Sequence, residues 1–268
     1  MRKFLVVAAT AVAVLGITAV AYAVTNTYSS TSKVTPSKSG TSAKPAPVSA
    51  ALTFHVGEVS NQRPSALKTY SIGLGPGVVP NTAVAPGCSF NQAAGPILPA
   101  ACKGKSVVGG GSVSAYAGLP ADASVKLPCF LTVTLINGSK KNHLNIRIDG
   151  VTSGPAGKTC VASQHTSIDA QFVKTGTAAK KGGGTLPVWA IKFSVPDSLL
   201  HPPGLVVAVY NNVSNVKKIS KKIKGVNHGY LETIGCPKAP SGKRDAVTKF
   251  TAENGQSQTS HATSACKT

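Results

Sequence analysis

The chain has 268 residues and carries 28 Lys and Arg against 8 Asp and Glu, a formal net charge of +20 at neutral pH. That excess excludes an acid-dominated surface and directs the protein toward anionic partners. Aromatic residues make up only 5%, so the stacking platforms that hold single-stranded nucleic acid are poorly provided for, and nucleic acid is not expected as a partner.

The amino terminus gives the compartment. Arg2 and Lys3 form a basic start, residues 4–20 are an apolar run, and Ala21-Tyr22-Ala23 is a small-x-small cleavage site. Residues 1–23 therefore read as a secretory signal peptide. The run is also long enough for an uncleaved anchor, since about 20 apolar residues cross a bilayer. The Ala-x-Ala end favours cleavage, which leaves no transmembrane helix and places the protein outside the cytoplasm, secreted or at the cell surface. Residues 24–50 are Ser, Thr, Lys, Pro and Ala with little to bury. Such a composition predicts a disordered, protease-sensitive tether, and residues 51–268 are then the folded domain.

Within that domain the hydrophobic pattern has period two. Leu131, Val133 and Leu135 alternate with threonines, and after Asn137-Gly138-Ser139 come Leu144, Ile146 and Ile148. This predicts a β-hairpin. Similar faces are formed by Tyr70, Ile72 and Leu74, by Ile168, Ala170 and Phe172, and by Trp189, Ile191, Phe193 and Val195. Ala246, Thr248 and Phe250 lead into Asn254-Gly255, a dipeptide that favours a type I′ turn. About nine to eleven short strands with Gly- and Pro-rich turns predict an all-β, antiparallel β-sandwich, with jelly-roll and immunoglobulin-like arrangements both open.

Six cysteines, Cys88, Cys102, Cys129, Cys160, Cys236 and Cys266, lie beyond the signal. An even number in an exported chain predicts a disulfide framework. The sequential set Cys88–Cys102, Cys129–Cys160 and Cys236–Cys266 is expected, each bridge closing a local loop. No Cys-x-x-Cys and no close histidine pair points to a metal, and no cofactor motif is present. Glycines 73, 75 and 77 in SIGLGPG lack the spacing and following helix of a dinucleotide fingerprint and read as a turn.

Residues 217–225, KKISKKIKG, concentrate the charge: Lys217, Lys218, Lys221, Lys222 and Lys224 surround two isoleucines. A hairpin through KGVNHG fits both flanks. Lysines there either shield an exposed strand edge from aggregation or form a patch for an anionic ligand. No catalytic motif is found: there is no Gly-x-Ser-x-Gly, His-Glu-x-x-His, P-loop or acidic calcium loop, and His55, His143, His165, His201, His228 and His261 are scattered.

Three stretches, PGCSFNQ with PAACKGKSVVGGGSV, PCFLTVTLINGSKK, and SVPDSLLHPPGL leading to KGVNHGYLETIGC, carry a resemblance to a group of uncharacterised exported β-rich proteins of actinobacteria. That resemblance spans about residues 55–266 and implies export and a β-rich fold; it transfers no activity and no site residue. The function expected is a non-enzymatic binding or structural module of the cell envelope, interacting with an anionic wall polymer or an anionic lipid surface. The alternative is a hydrolase or lyase acting on an acidic polysaccharide, with lysines neutralising the substrate.

Overall fold

A computed structural model describes residues 24–161, 163–240 and 242–268. The signal-peptide reading falls on residues 1–23, outside the described residues. Among these, no helix is long and apolar enough to cross a membrane.

The fold is all-β and antiparallel. Its strands are β1 (Asn26–Thr35), β2 (Ala46–Glu58), β3 (Leu67–Gly73), β4 (Val78–Pro80), β5 (Val107–Gly118), β6 (Leu127–Asn137), β7 (His143–Gly150) and β8 (Gln164–Ala179). They continue as β9 (Thr185–Ser194), β10 (Val206–Val216), β11 (Ser220–Ile223), β12 (Val226–Gly229), β13 (Leu231–Thr233), β14 (Lys243–Ala252) and β15 (Ser257–Ala265). Two short helices, α1 (Phe90–Ala94) and α2 (Asp197–Leu200), sit in connections. The hairpin predicted at residues 131–148 is β6–β7, with Val133 opposite Ile148 and Leu135 opposite Ile146.

Hydrogen bonding gives one 13-stranded sheet in the order β15-β14-β3-β9-β8-β7-β6-β5-β10-β2-β13-β4, with β1 paired to β2, and a separate two-stranded β11–β12. This pairing does not divide into the two facing sheets of a sandwich. Register shifts in β5, β8, β10 and β14 mark bulges, which bend strands and increase their twist. The sheet curls until its ends meet. Along that seam Asn26 N–H donates to Gln256 Oε1 (2.9 Å), Ser30 and Ser260 share a hydroxyl bond (2.8 Å), and Ser39 N–H donates to Lys267 O (2.8 Å). Most of the apolar faces expected from the sequence turn inward onto the main core, with Leu131, Val133, Leu144, Ile168 and Phe172 buried. A second cluster gathers Phe54, Tyr70 and Phe250 beneath the seam.

The tether reading is corrected. Residues 26–35 are β1 and residues 46–50 begin β2, with Val34 and Val48 buried. What sequence hydrophobicity misses is the main-chain ladder: β1 pairs with β2 from Asn26↔Glu58 to Thr35↔Ser49, and backbone pairing is indifferent to Ser and Thr side chains facing solvent. Trypsin is therefore expected to cut first after Lys158, in the exposed 151–158 stretch, and to spare Lys33. Mass spectrometry of the early fragments checks this, and early cleavage after Lys33 would mean β1 is not held in the sheet. The Asn254-Gly255 turn also differs from expectation. Gly255 has φ 83° but Asn254 has no positive φ, and Gly255 N–H donates to Ala252 O, so the connection is a type I turn followed by a left-handed glycine.

The cysteines pair Cys88–Cys102, Cys129–Cys160 and Cys236–Cys266, the sequential arrangement, and no free cysteine is found among the described residues.

Candidate functional site

The lysine segment is a hairpin standing outside the main sheet. After β10 ends at buried Val216, Lys217 N–H donates to Val108 O (2.8 Å) and the chain turns out into β11 and β12. Ile223 faces Val226 across a two-residue turn whose residues, Lys224 (φ 47°) and Gly225 (φ 81°), are both left-handed, the geometry of a type I′ turn. Ile219 and Ile223 pack down onto the core. The base is fixed twice more: Tyr230 N–H donates to Ile219 O (2.9 Å), and the buried Glu232 carboxylate accepts from Gly229 N–H (3.1 Å) and bonds His228 Nδ1 (3.2 Å). Gly229 is required there, since a Cβ would come within 2.7 Å of Pro47 Cα on β2.

This anchoring leaves Lys217, Lys218, Lys221, Lys222 and Lys224 exposed. Strand alternation would put Lys218, Lys222 and Lys224 on one face. Lys224 instead occupies the turn, with Lys221 and Lys222 on β11 behind it and Lys217 and Lys218 at the base.

The carboxylates are engaged elsewhere. Asp169 pairs with His143 (2.8 Å), Asp149 with Arg147 (2.8 Å) and His165 (3.0 Å), Glu253 with His201 (2.7 Å), Glu232 with His228 (3.2 Å), and Asp245 with His261 (2.7 Å). Asp122 accepts from the Ser124 hydroxyl and N–H, which hold its carboxyl below the usual range. Glu58 accepts from the N–H groups of Ser60 and Gln62. Among the described residues no lysine forms an ion pair with a carboxylate. The net positive charge is thus carried by lysines without a direct counter-charge.

Three arginines are buried, and all are structural: Arg147, paired with Asp149, donates to Ala93 O (2.9 Å) and Gly95 O (2.6 Å). Arg63 donates to Val125 O (2.8 Å) and Leu119 O (2.7 Å), holding the β5–β6 connection. Arg244 donates to Gly235 O and Ala265 O beside the Cys236–Cys266 bridge, and burial lowers it to about 10.

A second cationic feature escapes sequence reading because only register creates it. Ser71 on β3 lies between Lys192 on β9 and Lys249 on β14, its partners on the two sides. Thr69, Ser194 and Thr251 continue the row into a shallow groove. Asp197, His201 and Glu253 bring ligand atoms within 4.8 Å of one another. The His201–Glu253 hydrogen bond accounts for that grouping, and all three residues are exposed.

No family model matches the chain, and comparison with curated proteins and with solved structures finds no match.

Proposed function

We propose that the protein is an exported binding module that attaches to an anionic envelope polymer or anionic lipid surface through the β11–β12 hairpin. The observation that carries this reading is the hairpin itself: Lys221, Lys222 and Lys224 stand exposed on an element outside the main sheet, with Lys217 and Lys218 exposed at its base, and none is paired with an acid among the described residues. Because the hairpin's backbone is already ordered, binding costs little backbone freedom, and the entropic cost is confined to the lysine side chains that become immobilised. Three disulfides support an extracytoplasmic location, because such bonds persist in oxidising compartments. The wrapped sheet serves as the body that carries that hairpin, with its inner face forming the interior.

The rival reading, a hydrolase or lyase on an acidic polysaccharide, would want a histidine or carboxylate beside the lysines. The hairpin does hold one such pair, His228 and Glu232 (3.2 Å), with His228 directly across from Lys221, but Glu232 is buried and accepts from Gly229 N–H at the base. That structural engagement favours the binding module.

Partition onto vesicles containing phosphatidylglycerol tests the proposal. A lysine near an anionic surface contributes about 1 kcal/mol, so K218Q/K222Q/K224Q is expected to weaken partition roughly 100-fold. The control K103Q/K105Q/K140Q removes equal charge from exposed sites elsewhere and is expected to lose far less. Lys192 is unsuitable as a control because it lies in the groove with Lys249. Equal losses from both triple variants would show diffuse attraction by net charge and overturn the hairpin's role.

A further inference from the structure

The curled sheet shapes a partly open apolar chamber of about 160 Å³. Its lining includes Leu131, Val133, Ile146, Ile148, Ile168 and Ile191, drawn from four neighbouring strands. A void of this size is unusual, because interiors pack to crystal-like density and an unfilled cavity forfeits contacts. An apolar cavity of about 150 Å³ stays dry and accepts a benzene-sized molecule.

One strand breaks the apolar rule. At the start of β10, Val207 and Val209 face the chamber. Continued alternation would bring Asn211 and Val213 inward next. Instead the register with β5 slips between Val209 and Asn211, and a bulged residue reverses which faces follow. Asn212, Ser214 and Val216 line the chamber, while Val213 is turned outward and is 47% exposed. The bulge is held from outside: Tyr210, the unpaired residue, stacks on Tyr116 with ring centroids 4.2 Å apart. The bulge therefore turns Asn212 inward in place of Asn211 and leaves Val213 at the surface.

The chemistry of the polar group follows from its bonds. Asn212 Nδ2 donates to Ser214 Oγ (3.1 Å), and Ser214 Oγ makes a long bond to Leu52 O (3.5 Å). The Ser214 bond is the one side-chain hydrogen bond of Asn212 among the described residues, and its Oδ1 is left facing the space of the chamber. An unpartnered acceptor in an apolar chamber calls for a donor from a ligand.

We infer that the chamber is a binding site for a small apolar molecule bearing one hydroxyl group, of the size of a simple phenol, whose O–H donates to Asn212 Oδ1. The site is independent of the lysine hairpin, and its test uses free protein without polymer or membrane.

The experiment follows 4-fluorophenol and fluorobenzene by fluorine NMR, in separate titrations of the full chain. The wild type is expected to bind the phenol about tenfold more tightly than fluorobenzene, the worth of one hydrogen bond in a dry site. N212L is expected to abolish that preference while still binding fluorobenzene. I148F fills the chamber and is expected to remove both. Should N212L fail to fold, S214A provides the second reading: freeing Asn212 Nδ2 alters the polar group and is expected to change the ratio of the two affinities. Failure of the wild type to bind either probe overturns the site. An unchanged phenol preference in both N212L and S214A overturns the assignment of the polar group.

Discussion

Phe250→Ala is expected to lower the unfolding free energy by about 3–5 kcal/mol, the range for removing a buried phenyl ring. Phe250 is fully buried, and its ring meets Tyr28 (4.9 Å), Phe54 (5.2 Å) and Tyr70 (5.8 Å). These residues belong to β1, β2 and β3, so one side chain on β14 ties together both ends of the curled sheet. The cavity left behind cannot be refilled by any one neighbour, because each ring is fixed by its own strand. Reversible denaturant unfolding gives the value, with Phe250→Leu losing far less because most of the volume remains. A loss below about 1 kcal/mol for the alanine variant would mean the aromatic cluster does not hold the seam.

The second large effect concerns the Cys236–Cys266 bridge. Replacing both cysteines with alanine is expected to cost roughly 3–4 kcal/mol, since the bridge closes a loop with a sequence separation of 30. The loss should be concentrated at one place. Cys266 N–H donates to Gly242 O, and the next residue, Lys267, exchanges backbone bonds with Ser37 and Ser39. Without the covalent link, that end of β15 should fray from β14 and release the seam. Calorimetry measures the overall loss, and amide exchange in β15 and β1 locates it. Protection unchanged in both strands would show that the seam is held without the bridge.

Much of the interior was legible from the sequence because its strands obey alternation. Residues 131–148 announce their hairpin through six aliphatic side chains at every second position, and the cysteines pair in the order in which they occur. The hairpin at residues 220–229 was readable from Lys-Gly between two short runs. β1 was not readable, because a strand held by its main chain shows few apolar residues: Tyr28 and Val34 are its inward apolar contributions, Asn26 is buried at its start, and the rest is Ser, Thr and Lys. The histidine–carboxylate pairs were hidden for a different reason. Asp149 and His165 are direct partners across β7 and β8, sixteen residues apart in the chain, and such a meeting depends on register. The chamber's polar corner was the least visible feature. A single bulged residue inverted the faces of β10, and nothing in VVAVYNNVSNV announces where alternation breaks.

The seam between β1 and β15 also sets a timetable for folding. It brings together residues 230 positions apart, as in Asn26 with Gln256 and Ser30 with Ser260. A polypeptide that emerges amino terminus first must therefore keep the open edge of β1 waiting until β15 has been delivered. Contacts so distant in sequence form slowly, and open strand edges recruit other chains in the interval. The alternating Ser, Thr and Lys of β1 suit a strand that spends that interval exposed to water. The side chains that disguise β1 as a spacer keep the incomplete molecule from pairing with its neighbours until β15 arrives.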